Sequence, residues 1–178
     1  LRRPGFAGTV LCTFAASSLA LMAGRDGRLS LEGYVERFES GGVGGKLLLA
    51  FDDEAPLAAA LAAALGAPSA PIARHRFPDG ELKLRLPSAL PARVVLLRTL
   101  DQPNEKLIEL LLTARTALLL GAKHLTLVAP YLAYMRQDIA FHSGEVVSQR
   151  VVGDFLAGLF DAIVTVNPHL HRTPTLQG

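Results

Sequence analysis

Short apolar runs alternate with helical segments from residue 46 onward, and this alternation limits the chain to few folds. The run Lys46–Phe51 has the length and composition of a buried strand, and Ala55–Leu65 is an alanine-rich helix that Gly66 ends. Strands that alternate with helices in this way form βαβ units, whose strands lie parallel in one sheet. The pattern therefore predicts an α/β fold with a mostly parallel sheet and flanking helices.

The same pattern continues to residue 166. Further strands are predicted at Val94–Arg98, Leu125–Ala129 and Ile163–Val166. Asp101 is predicted to cap one intervening helix, and a second helix is predicted from about Glu145 to Phe160. The chain has 178 residues, of which 50% are hydrophobic, so it is long enough to bury one core of this kind.

A turn sequence separates two shorter strands. Ile72–Arg76 and Leu82–Leu86 alternate in polarity, and Pro78-Asp79-Gly80 lies between them. Proline, aspartate and glycine in this order favour a tight turn, so the two strands are predicted to form a β-hairpin.

Phe77 and Glu81 flank this turn, so that an aromatic face and a carboxylate can project together. Such a pair suits a purine, which can stack on the ring and donate from its exocyclic amine to the carboxylate. The alternative is an ordinary turn that binds no ligand, and Pro78-Asp79-Gly80 considered alone would favour that interpretation.

A polar corner follows the strand that ends at Ala129. Residues 131–138 read Tyr-Leu-Ala-Tyr-Met-Arg-Gln-Asp. Ligands of open α/β sheets bind at the edge where strands end. The Arg136 guanidinium can contact phosphate through paired donors or lie flat on a base, and Gln137 and Asp138 can fix its orientation. The alternative is a surface ion pair after a strand.

Charge and cysteine content exclude some functions. The net charge of +2 and the absence of a long basic run argue against a nucleic-acid surface. The single cysteine, Cys12, permits no internal disulfide and no multi-cysteine metal site, which fits a reducing compartment such as the cytoplasm.

Residues 1–45 differ from the rest of the chain. Phe6 to Gly24 carries no charge and follows two arginines, an order typical of a secretory signal, and it is also long enough for a marginal membrane helix. Its small residues make it weakly apolar. We therefore predict that residues 1–45 are an extraneous, flexible or signal-like segment, and we expect no membrane partner.

Three motifs together resemble one known family. They are the Phe-Pro-Asp-Gly-Glu turn at 77–81, the Arg-Gln-Asp corner at 136–138 with the Gly-Glu-Val-Val-Ser stretch at 144–148, and the Val-Asn-Pro-His sequence at 166–169. All three are similar to nucleotide-binding segments of the ribose-phosphate pyrophosphokinases, which make phosphoribosyl pyrophosphate from ATP and ribose 5-phosphate. The resemblance implies a phosphoribosyltransferase-like fold and a cytoplasmic, homo-oligomeric transferase.

The resemblance also implies an ATP site. It places Phe77, Asp79 and Glu81 at the adenine, across an oligomer interface. It places Arg136 and Gln137 at the ATP phosphates, beside Asp138. It identifies no catalytic residue in this chain.

The same resemblance implies Mg²⁺ bound together with ATP, the substrate. Where the family reads Val-Asp-x-His, this chain has Asn167 and His169. Asparagine brings no negative charge, so we expect a weakened metal site. The family also follows Arg-Gln-Asp with basic residues, whereas Ile139 and Ala140 stand here, so we expect inefficient phosphoryl transfer.

The resemblance covers residues 46–178 and corresponds to the first of the family's two α/β domains. The acidic loop that holds ribose 5-phosphate is missing from this sequence. The chain is therefore predicted to be an N-terminal half of an enzyme that transfers diphosphate from MgATP to ribose 5-phosphate, and to be inactive alone. Two alternatives stay open: a catalytically silent regulatory or structural partner of active subunits, and a nucleotide-binding module with no catalytic role.

Overall fold

The structure is a computed structural model that describes residues 9–14, 18–23, 27–30 and 45–166. In chain order the elements are β1 (Thr9–Phe14), β2 (Ser18–Ala23), β3 (Gly27–Ser30), β4 (Lys46–Phe51), α1 (Ala55–Leu65), β5 (Ser69–Arg76), β6 (Leu82–Arg85), β7 (Arg93–Leu97), α2 (Pro103–Leu119), β8 (His124–Ala129), α3 (Ser148–Ala157) and β9 (Ala162–Val166), with a 3₁₀ turn at Asp52–Glu54.

The described strands form one sheet in the order β3-β2-β1-β9-β8-β7-β4-β5-β6. All neighbouring pairs from β1 to β5 in this order are parallel, whereas β5 and β6 pair antiparallel as a hairpin. The predicted mostly parallel sheet with a β-hairpin is therefore confirmed.

Strands β1, β2 and β3 lie within the segment 1–45. β1 pairs parallel with β9, and β2 and β3 follow it antiparallel. The stretch from Phe6 to Gly24 is thus extended, not helical, wherever it is described. That residues 1–45 are separate from the domain stays a prediction.

The central strands are buried on both faces because helices cover both sides of the sheet. In β4, Leu48 and Ala50 belong to the apolar cluster that contains residues of α1. Leu49 and Phe51 belong to the opposite cluster, which contains residues of α2 and α3. The sheet is therefore the middle layer of three. No helix of the described residues has the length and apolar character needed to cross a membrane.

The predicted cap of α2 is wrong. The residue before the helix is Gln102, which has a φ of 49°, and no side chain caps the first turn. Asp101 instead forms an ion pair with Lys106, 2.5 Å away. The carboxylate is therefore held by an ammonium one turn into the helix and is not available to the first backbone N–H groups.

Helix α3 is shorter than predicted and its buried face is shifted. It begins at Ser148, because the Glu145 carboxylate is held in the preceding loop by the Phe141 N–H at 2.7 Å and by His142 Nδ1 at 2.7 Å. The four-residue spacing of Val147, Val151, Phe155 and Leu159 predicts one buried face, but Val151 is 59% exposed. Val152, Phe155 and Leu156 of α3 pack on the core.

The order of the strands marks one crevice for ligands. From β4 the chain proceeds to β5 on one side, and β7 then lies on the other side of β4. In open α/β sheets, ligands bind outside the carboxyl ends of strands at such a switch point. The residues that follow β4 and β7 therefore border the crevice, next to the ends of β8 and β9.

Candidate functional site

The Arg-Gln-Asp corner and the end of β9 leave the sheet side by side. The Val166 N–H, at the end of β9, donates to the Pro130 carbonyl just after β8 at 3.2 Å. Asn167 and His169 lie outside the described residues, so the metal-site prediction is untested. The described ends of the two strands, at Pro130 and Val166, lie next to each other, as two parallel neighbours require.

The corner has a fixed backbone and an exposed cation. Gln149, buried in α3, donates from its backbone N–H to the Gln137 carbonyl at 3.2 Å and from its side chain to the Met135 carbonyl at 3.4 Å. Arg136 is exposed, and Gln137 and Asp138 are half-buried. The arrangement leaves the Arg136 guanidinium at the surface while the peptide groups around it are held.

Tyr134 ties the corner to α2. Its hydroxyl donates a hydrogen bond to the side-chain oxygen of Asn104. Its φ of 63° lies in the left-handed region, which non-glycine residues seldom occupy and which recurs at ligand sites. This contact was not predicted from the sequence, because it joins residues 30 positions apart.

The hairpin tip is a tight turn, as predicted. The Gly80 N–H donates to the Phe77 carbonyl at 2.9 Å, and Gly80 has a φ of 93°, which favours glycine. Asp79 Oδ1 accepts the Glu81 N–H at 3.1 Å, so this carboxylate takes part in the turn. Of the three residues predicted at the adenine, Asp79 thus has a structural role of its own.

Phe77 and Glu81 stand opposite each other across the turn. The Phe77 N–H donates to the Glu81 carbonyl at 2.9 Å, and opposed residues of an antiparallel pair share a face. The Phe77 ring is 40% exposed and meets the edge of His75, with ring centroids 4.9 Å apart. Phe77 and Glu81 are therefore both exposed at the tip of the hairpin.

The hairpin and the corner begin on strands that are not neighbours. β7 and β4 lie between β8, which leads to Arg136, and β5, which leads to Phe77. Three strand spacings correspond to about 14 Å. The two groups share an edge of the sheet, but they are displaced along it.

A cluster of charges that was not predicted occupies the switch-point crevice. Arg98 follows β7 and is fully buried, as is Glu109 of α2. Arg98 donates to Glu109 from Nε at 2.7 Å and to both oxygens of Asp53 at 2.8 and 2.9 Å. The second oxygen of Glu109 accepts from Arg74 at 2.6 Å. Glu109 is therefore a buried carboxylate between two arginines.

Two cavities lie between the hairpin and α2. One of about 430 Å³ includes Leu82 and Ile108 in its lining, and one of about 330 Å³ includes Lys106 and Gln102. Both are of a size that small ligands occupy. Phe77 lines neither cavity, whereas Glu81 is among the residues that line the larger one.

Asp53 makes the stability contributed by the charge cluster depend on pH. Burial alone raises the pKa of this carboxyl, but the hydrogen bond and charge of Arg98, together with the charge of Arg74, bring the pKa below its ordinary value of 3.8. A carboxyl whose pKa is depressed by folding stabilises the folded state above its unfolded pKa, and that contribution is lost as the pH falls through the folded pKa.

We expect Asp53→Asn to reduce the acid sensitivity of the fold. The urea midpoint of the unaltered chain should fall as the pH is lowered from about 5 to below the ordinary aspartate pKa. The midpoint of Asp53→Asn should start lower and change less over the same interval. Asp154→Asn, at an exposed position of α3, is the matched control and should follow the unaltered chain. Equal slopes for all three proteins would remove Asp53 from the explanation.

Comparisons with known proteins agree with this arrangement. A family model described as the N-terminal domain of ribose phosphate pyrophosphokinase matches residues 47–159. A ribose-phosphate pyrophosphokinase of Methanopyrus kandleri is 37% identical over 132 residues, covering 74% of this chain and 45% of that protein. A second, from Saccharolobus solfataricus, is 43% identical over 108 residues, covering 59% of this chain and 37% of that protein.

A solved structure shows the same fold. The crystal structure of phosphoribosylpyrophosphate synthetase from Mycobacterium smegmatis aligns with a TM-score of 0.56 and 25% identity, covering 68% of this chain and 48% of that one. This chain thus spans less than half the length of each of these three proteins. The agreement of the family model, the relatives and the fold leads to one conclusion: the chain belongs to the ribose-phosphate pyrophosphokinase family and contains its N-terminal domain.

Proposed function

We propose that this chain supplies the ATP-binding half of a ribose-phosphate pyrophosphokinase, which transfers diphosphate from MgATP to ribose 5-phosphate. The observation that carries the proposal is the corner at Arg136, where an exposed guanidinium is presented on a fixed backbone beside the end of β9. In phosphoryl-type transfer the protein mainly positions the reactants and stabilises charge, and a fixed arginine supplies both.

In this proposal the adenine is bound by the hairpin. Phe77 would stack on the base, and Glu81 would accept from its exocyclic amine. The family resemblance places the hairpin of one subunit at the ATP that is bound by the corner of another. We therefore propose a homo-oligomer in the cytoplasm, where ATP is available.

Magnesium would enter with ATP. Among the described residues no group of three potential ligands could hold a metal ion. Mg²⁺ is commonly bound by one or two protein groups and by substrate phosphates. Asn167 and His169 would contribute neutral ligands, and the bound ion would neutralise charge on the phosphates.

The test is a binding and transfer assay. The purified chain is expected to bind MgATP and to form no phosphoribosyl pyrophosphate from ATP and ribose 5-phosphate, whereas the chain joined to an in-frame second domain carrying the acidic loop should form it. Absence of MgATP binding at millimolar concentration would refute the ATP-site proposal. Turnover by the chain alone would refute the proposal that the ribose 5-phosphate site lies in a second domain.

One observation favours the silent-partner alternative. Ile139 is 40% exposed and Ala140 is also exposed, at positions where the resemblance would place cations near the phosphates. Under this alternative the two-domain protein would bind MgATP and assemble with active subunits without transferring diphosphate. The double replacement Ile139→Lys with Ala140→Arg should then create activity.

A further inference from the structure

Half of strand β5 leaves the main sheet. Residues Ser69 to Ile72 pair with β4, whereas Ala73 to Arg76 pair only with β6. The hairpin that carries Phe77 is therefore not held to the sheet by backbone hydrogen bonds from β4. Its angle to the sheet edge must depend on contacts of its side chains.

Arg74 makes three of these contacts. It donates to Glu109 at 2.6 Å and to Asp52 at 3.1 Å, and it lies 3.7 Å from Asp53. Its side chain is 25% exposed, while that of Glu109 is fully buried. One guanidinium on the hairpin thus joins α2 and the turn after β4, with charge-assisted hydrogen bonds in a protected place.

The partner of Arg74 is itself fixed. Arg98 binds the second oxygen of Glu109 and both oxygens of Asp53, and its guanidinium carbon lies 4.5 Å from the centre of the Phe51 ring. The Arg74 guanidinium carbon is 5.5 Å from the same ring. Glu109 can therefore not follow the hairpin if it swings, because Arg98 and the core hold the carboxylate in place.

The two faces of the hairpin have different roles. Side chains alternate along a strand, so Arg74 and Arg76 share the inner face, whereas His75 and Phe77 share the outer face. Arg76 forms an ion pair with Glu105 of α2, which adds a second contact on the inner face. The inner face is thus ionic and attached to α2, and the outer face presents the aromatic ring.

From these contacts we infer that Arg74 is a positioning residue for nucleotide recognition, anchored by the buried Arg98–Glu109 pair and acting through the outer face that carries Phe77. The inference rests on the proposed function, because it takes the ligand of that face to be a purine nucleotide. Removing Arg74 should release the hairpin and weaken recognition of the base without altering the contacts to the phosphates at the corner.

The test compares two ligands on three variants. In Arg74→Gln the dissociation constant for MgATP should rise about tenfold, roughly the loss expected when one base no longer stacks on an aromatic ring. That for magnesium tripolyphosphate, which has no base, should stay the same. Arg74→Lys should recover part of the loss. Arg85→Gln, the same change at an exposed position of β6, should bind both ligands normally.

Two binding results would overturn the inference. One is unaltered MgATP affinity in Arg74→Gln, and the other is an equal loss for MgATP and tripolyphosphate, which would indicate general damage to the fold. If the unaltered chain binds neither ligand, the proposed function fails, and a measurement without ligand decides the positioning role.

That measurement is a distance between two spin labels. Labels are attached at Lys83→Cys on β6 and Arg115→Cys on α2, both exposed positions, in a Cys12→Ser background that removes the single native cysteine. The distance distribution should be narrow with Arg74 present and broad in Arg74→Gln. Identical distributions would show that Arg74 does not position the hairpin.

Discussion

Replacing Glu109 with glutamine is expected to lower the free energy of unfolding by about 3–5 kcal/mol, the cost of breaking a buried ion pair from one side. Both carboxylate oxygens are engaged, one by Arg74 at 2.6 Å and the other by Arg98 at 2.7 Å. A glutamine would leave the fully buried Arg98 guanidinium with Asp53 as its main counterion. Urea unfolding followed by circular dichroism measures the loss.

The matched control is Glu105→Gln, four residues earlier on the same helix. Glu105 pairs with Arg76, and their side chains are 34% and 57% exposed. Solvent screens such a pair, so its removal should cost no more than about 1 kcal/mol. Similar losses for the two variants would show that burial does not strengthen the dependence on Glu109.

A double replacement separates pairing from packing. Arg98→Met combined with Glu109→Leu removes both buried charges and keeps similar volume, so it should cost less stability than Glu109→Gln alone. The same double variant should also lose the anchor for Arg74. We therefore expect a protein that folds well but whose hairpin is poorly positioned, which would separate stability from nucleotide recognition.

The fold could be predicted because its central strands are buried on both sides. Lys46–Phe51 and Ala55–Leu65 begin and end where the sequence predicts, since a continuous apolar run and a glycine stop are local signals. Gly66 has a φ of 56°, which is the left-handed conformation that such a helix end requires. Helices and strands that are specified by residues close together in the chain could thus be predicted from the sequence.

At the two helix starts that were wrongly predicted, other side chains hold the carboxylate that the pattern assigned to the start of the helix. Glu145 was predicted to begin α3, but its carboxylate is held by a loop residue, His142, whose hydrogen bond is also the largest cause of its lowered pKa. Asp101 was predicted to cap α2, but Lys106 binds it. In both cases the carboxylate has a partner that the helical pattern alone does not indicate.

The charge cluster was missed for a different reason. Periodicity assigns charged residues of a helix to solvent, yet Glu109 is fully buried, as is its neighbour Leu110. Its partners Arg98 and Arg74 are 11 and 35 residues away in sequence. A single sequence carries no signal for such distant pairs. The polar residue Gln149, which holds the corner, escaped prediction in the same way.

Replacing Arg136 with alanine is expected to weaken MgATP binding by about 10- to 100-fold, the range that corresponds to losing hydrogen bonds from a charged donor. The side chain is exposed, so the free energy of unfolding should change by no more than about 0.5 kcal/mol. Arg136→Lys should give an intermediate affinity, since lysine keeps the charge but lacks the paired donors that match a phosphate.

Arg150→Ala is the control that distinguishes a phosphate-binding site at Arg136 from a general effect of net charge on MgATP binding. Arg150 is exposed on α3, twelve residues beyond the corner's last residue, Asp138, and its removal changes the net charge by the same amount. Titration calorimetry with MgATP should give unaltered affinity for Arg150→Ala. If both alanine variants bind equally well, the phosphates are not held at the corner, and the ATP site must be sought at another part of the sheet edge. A selective loss at Arg136 would instead identify the corner as the phosphate subsite, since the fixed backbone beneath it is common to both proteins.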